Sequence, residues 1–144
     1  MTYSDDLFLS LFEHKTLPPK HFDHHGHLRL AWIYLSTFTL AEAVDRITRT
    51  IPAYAAHWGD PDKFHHTLTE AIVRIMALRK QQHPTDSFDD FLARNPDLIT
   101  GLRGVISQYY SDTRLNSSTA RQQFVSPDRK ALITIQQGQE VLRS

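Results

Sequence analysis

The sequence predicts an all-α fold, a single-domain helical bundle of five to seven helices over residues 1–144 with an irregular C-terminal tail. Three observations carry that prediction. Apolar residues recur at helical spacing through most of the chain. Turn residues punctuate it at Pro18-Pro19, Gly59-Asp60-Pro61, His83-Pro84, Asn95-Pro96 and Ser126-Pro127. Strand signals are poor. The 144 residues suit one domain and suffice for a substantial core.

The elements follow in order. Ser4 is the expected N-cap of a first helix over about Asp5–His14, with Leu7, Phe8, Leu11 and Phe12 on its apolar face. A second helix starts at Lys20 or Phe22 and runs to Thr37. Thr39 caps a third, from Leu40 to about Ala56, where Pro52 predicts a kink or an early end. Asp60 caps a fourth, with Pro61 in its first position, continuing to Gln82. Thr85 or Asp86 opens a short fifth helix through Phe88, Phe91 and Leu92. Asn95-Pro96 opens a sixth that ends at Tyr109-Tyr110 and contains Gly101 and Gly104, both weak helix formers. Ser117 or Ser118 caps a last short helix to about Phe124. The tail KALITIQQGQEVLRS reads as a loop or one short strand.

Composition narrows the function. Formal net charge is zero and the pI about 7.1, which argues against a nucleic-acid binder carrying clustered Lys and Arg. There is no cysteine, so thiolate metal sites, iron–sulfur clusters and cysteine nucleophiles are excluded. MTYSDDLFLSLFEH carries two early acids and no basic region, unlike a signal peptide. LAWIYLSTF is too short to cross a bilayer. The expectation is a cytoplasmic protein with no membrane or nucleic-acid partner. A Gly-rich phosphate loop, GxSxG, HExxH and CxxCH are all missing, so nothing points to a nucleotide cofactor.

The compositional oddity is nine histidines, five of them within the first 27 residues. A helix turns about 100° per residue. With His24 at zero on the second helix, Ala31, Leu35 and Leu28 fall within about 40° of it, and His27 lies at about −60°, inside the same apolar arc. His25 lies at the edge of the arc, beside Trp32. On the fourth helix, with Phe64 at zero, His65 falls at about 100°, between Ile72 and Met76, while His66 and Glu70 face the opposite way. The wheels therefore turn His24, His27 and His65 inward from two helices.

A buried imidazole is costly unless its nitrogens find partners. Two readings follow. Each ring is neutral and bonded to a carbonyl, hydroxyl or carboxylate. Alternatively, the rings converge on a metal or a small molecule. Imidazole suits zinc, iron, copper or nickel, and three protein ligands leave an open position for chemistry. The expected function is thus a small protein with an inward histidine cluster, a metal site on His24, His27 and His65, and metal-dependent enzyme activity. The alternatives are a non-catalytic small-molecule binding module and an interaction protein with hydrogen-bonded core histidines. Tyr34 and Thr69 are the first candidates for substrate contacts, and Arg121 offers two-point binding of a carboxylate or phosphate. Arg74, Arg79 and Lys80 read as a solvated helix face that complements the helix dipole.

These residues also carry a resemblance. LPPKHFDHHGHLRLAWIYL resembles the start of an uncharacterised family of small helical bacterial proteins with a Trp-x-His-x-x-His-Leu helix and a later Tyr-His-Glu-Thr-x-Thr motif. The second motif reads FHHTLT here, residues 64–69. His24, His27, His65, Thr67 and Thr69 match, and SSTARQQFVSPDRKAL resembles the family's closing Ala-Arg and Pro-Asp segments. The resemblance covers most of the chain and implies a helical fold but no activity. Two departures stand out. Phe22 and Phe64 occupy the aromatic positions, so residue 64 lacks a hydroxyl. His66 replaces an acid, which could act as a ligand but would be a different base.

Overall fold

The computed structural model describes residues 3–136 and 139–141. Its main helices are α1 (Asp5–Glu13), α2 (His24–Thr37), α3 (Leu40–His57) and α4 (His66–Gln82), followed by shorter α5 (Phe88–Arg94), α6 (Asp97–Thr100), α7 (Leu102–Ser107), α8 (Asp112–Leu115) and α9 (Ser118–Gln122). This is the all-α class that the apolar spacing predicts.

Local chemistry explains most helix starts. Ser4 Oγ accepts from the Leu7 amide at 3.2 Å, and Asp5 and Asp6 complement the dipole of the first turn. Thr39 and Glu42 form a reciprocal capping box on α3. Ser87, Ser111 and Ser117 cap α5, α8 and α9 through their hydroxyls. Pro52 does not end α3, which continues to His57. Pro52 is half-buried and supplies no amide for the i−4 carbonyl, yet the helix runs on through it.

The described residues hold nine helices rather than the five to seven expected, with α8 in a stretch where none was expected, and Ser87 rather than Thr85 or Asp86 caps α5. Three further boundaries differ. Residues Pro19–His21 form a separate 3₁₀ turn, and Phe22 breaks away from helical geometry, so α2 begins at His24. Pro61–Lys63 likewise form only a 3₁₀ turn. Phe64 and His65 are extended, and α4 starts at His66 with His65, not Asp60, as its N-cap. The expected sixth helix is split at Gly101, which has φ −143° and ψ 33°, into α6 and α7. The tail is a two-stranded antiparallel ribbon, β1 (Thr134–Gln136) and β2 (Gln139–Val141), because a lone strand would leave its backbone groups unpaired.

The buried side chains form one contiguous core. α2 is its centre and buries Leu28, Leu30, Ala31, Trp32, Ile33 and Tyr34, nearly its whole circumference. α4 is covered almost as completely, because residues 123–133 cross the face that its wheel assigns to solvent. Thr67 Oγ1 donates to the Gln123 carbonyl at 2.8 Å and accepts from the Val125 amide at 3.1 Å. Arg74 donates to the Ile133 carbonyl at 3.0 Å and stacks over Phe124. Glu70, expected in water, is only 5% exposed and receives a two-point contact from Arg74. Arg79 is also engaged, holding Asp97 through both of its carboxylate oxygens, and Lys80 lies over the Trp32 ring. These cations are structural rather than a solvated face. Among the described residues, no helix is long and apolar enough to cross a membrane.

Candidate functional site

The first turn of α2 is set by its neighbours. Asp23 Oδ1 accepts from the Gly26 amide at 2.9 Å and starts the helix. Gly26 is required there, since a Cβ would collide with the His21 carbonyl of the preceding 3₁₀ turn. That close approach leaves His24 and His27 on one flank of α2, opposite the end of α3 and the Asp60–Phe64 turn.

Between these elements lies a cavity of about 320 Å³, lined by His24 and His27 and walled by Phe22, Tyr54, Trp58 and Phe64. The walls are braced from behind. Phe22 meets Tyr54 edge-on at 5.0 Å, and Phe12 packs against both rings. The Tyr54 hydroxyl donates to the Leu17 carbonyl at 2.6 Å, and burial raises its pKa. Trp58, at the end of α3, is 44% exposed and forms the rim.

The three inward histidines of the sequence reading behave differently. His24 Nε2 donates to the Leu98 carbonyl at 2.7 Å, which ties α2 to α6. His65 is fully committed. Its Nδ1 accepts from the Leu68 amide at 3.1 Å as the cap of α4, and its Nε2 donates to the Leu115 carbonyl at 2.9 Å. A neutral imidazole has one donor and one acceptor, so His65 has no lone pair left for a metal. It is also outside the group that lines the cavity. His27 makes no side-chain hydrogen bond among the described residues. Its ring packs edge-on against Phe22 at 4.1 Å. Burial, helped by the neighbouring His24, pushes its pKa down from 6.5 to about 4, so it is neutral at physiological pH.

The expected metal triad is therefore not assembled. Among the described residues, no group of three or more His, Asp or Glu side chains is placed to hold a metal ion. The physical reason is the break before α4, which takes Phe64 and His65 off the helix and turns His65 into a cap.

The other candidates also lie elsewhere. Tyr34 is fully buried, donates to Glu13 Oε2 at 2.8 Å, and has its pKa raised by burial. It does not line the cavity. Thr69 is half-buried one turn into α4, where its amide bonds to the His65 carbonyl at 3.0 Å. Arg121 is exposed and reaches the Phe64 carbonyl at 3.5 Å, a long contact that steadies the segment bordering the cavity. His66, expected in water, is half-buried with Nε2 at 3.3 Å from Glu70 Oε1. The sequence reading missed the cavity walls. The one available signal was Tyr54 and Trp58 at i, i+4, just before the Gly59-Asp60-Pro61 turn.

A second opening, about 380 Å³, lies between Arg74 and the 124–132 segment. Its main polar groups are already committed, Arg74 to Glu70 and Ile133, and Asp128 to Ser111. Comparison of the chain with protein-family models, curated proteins and solved structures found no match.

Proposed function

We propose that the protein is a small-molecule binding module whose ligand occupies the aromatic cavity between α2, α3 and the Asp60–Phe64 turn, with His27 as the polar contact. One observation carries this reading: a neutral imidazole with no hydrogen-bond partner among the described residues lines a preformed aromatic cavity. The ring is half-buried and its nitrogens are not sealed from solvent, so a ligand entering the cavity can replace water as their partner. The volume is at the small end of the range for ligand sites, which suits a compact molecule.

Binding is favoured over catalysis. A general base works best with a pKa near the operating pH, and His27, at about 4, is a weak one. A transition-metal centre is disfavoured because His65 has both ring nitrogens committed.

The test is a fragment screen by ligand-detected NMR on the full-length protein, with Ala55→Phe as the control. Ala55 lines the cavity from α3, and a phenyl group there fills it. Fragments that bind the wild type, raise its Tm and fail to bind Ala55→Phe support the reading. Fragments that bind both proteins equally, or no fragment binding at all, contradict it.

A further inference from the structure

The polar inventory of the cavity goes further and points to the charge of its ligand. This inference rests on the small-molecule reading above. The lining is rich in acceptors and poor in donors. His24 gives its Nε2 hydrogen to Leu98, so in the neutral ring its remaining polar atom, Nδ1, is an acceptor. Tyr54 gives its hydroxyl hydrogen to Leu17, so its oxygen has only lone pairs left to offer. Asp23 and Asp60 add two carboxylates. Phe22, Tyr54, Trp58 and Phe64 line the cavity, and an aromatic ring carries the negative side of its quadrupole on its faces. Against these stand one neutral His27 N–H and Lys63.

Lys63 does not reverse the balance. Its ammonium is 3.8 Å from Asp60 and the two side chains are 76% and 57% exposed, so the pair sits at the mouth and largely cancels itself. The positive end of the α2 dipole is offset by the Asp23 carboxylate that caps it. The formal charge of the lining is thus two carboxylates against one ammonium, with neutral His27 adding none. A carboxylate or phosphate ligand would meet this net negative charge and four aromatic rings.

We infer that the cavity takes a small organic ammonium, a protonated or quaternary amine with apolar substituents. Its charge lies against the aromatic walls, and His27 meets a neighbouring polar group. Cations held over aromatic faces in partly desolvated sites gain enough to discriminate against an uncharged analogue of the same shape.

The experiment uses three probes of one shape on the full-length protein. These are choline, the neutral isostere in which tert-butyl replaces trimethylammonium, and the corresponding carboxylate. Binding is followed by calorimetry and by the emission of the rim residue Trp58, with Trp58→Leu and Phe22→Leu as variants. Trp32 is buried elsewhere in the core. The expected result is that choline binds about tenfold or more tightly than the neutral isostere and the carboxylate binds weakest. Trp58→Leu should lower choline affinity about fivefold while the neutral isostere is little affected. Trp58 is a rim residue, so this variant should still fold. Equal or tighter binding of the neutral or anionic probe overturns the ammonium inference and leaves the cavity a ligand site. Failure of all three probes also overturns it. The fragment screen with Ala55→Phe then decides separately whether the cavity binds anything.

Discussion

The two histidine-bearing helix starts differ in one respect: the start of α4 is sealed and the start of α2 is open. At α4, His65 caps the helix and holds Leu115, Thr67 holds the returning chain, and Arg74 locks Glu70 under the tail. Every imidazole nitrogen of His65 is used, and the nearby charge is paired. At α2, Asp23 does the capping, so the histidines are not needed for it. His24 uses one nitrogen for Leu98 and His27 uses none among the described residues. The sealed end holds the fold together, and the open end keeps hydrogen-bonding capacity unused among the described residues.

Mutations should separate the two ends. The largest effect belongs to the sealed one. Arg74→Leu leaves the buried Glu70 carboxylate without its guanidinium, with only the His66 imidazole beside it, and should destabilise the protein by about 3 kcal/mol or more in urea unfolding. Next is the pH dependence from the open end. His27 binds its proton at about 4 when folded and at 6.5 when unfolded. Between those values the unfolded state holds more protons, so stability falls as pH drops from 6.5 towards 4 and levels off below. The total is on the order of 3 kcal/mol, and urea midpoints across that window should show a drop that His27→Leu removes.

His65→Ala should cost about 2 kcal/mol, through loss of the α4 cap and an unsatisfied Leu115 carbonyl, with little change in cavity binding. His27→Leu should have the smallest effect and the opposite sign. It replaces a half-buried polar ring with an apolar side chain and should raise stability by about 1 kcal/mol at neutral pH while weakening fragment binding. A His27→Leu protein that is as unstable as His65→Ala would erase the contrast between the two ends.

The difference between the ends also sets what could be read from the chain alone. Several local helix signals held: Ser4 caps α1, Thr39 caps α3 and Ser117 caps α9, whereas α5 is capped by Ser87 rather than Thr85 or Asp86. The i, i+3 pairing of His24 and His27 on one flank of α2 was legible for the same reason. His65 was not, because imidazole is an uncommon cap and the Asp60-Pro61 pair offered a better local match. Glu70 and Arg74 were misread because their burial depends on chain more than 50 residues later, which no helical wheel contains. The cavity escaped notice because its walls come from three separate stretches, near Phe22, from Tyr54 to Trp58, and at Phe64.

The most direct test is ¹⁵N NMR of histidine-labelled full-length protein, with and without a cavity-binding fragment. The account predicts that at neutral pH His24 and His65 both carry the proton on Nε2 and that His65, which lies outside the cavity, is unmoved by the fragment. It predicts that His27 stays neutral until the pH approaches about 4 and that its ring nitrogens shift when the fragment binds. A His27 ring that titrates near 6.5 and ignores every fragment would contradict the claim that the open end of α2 is the binding site.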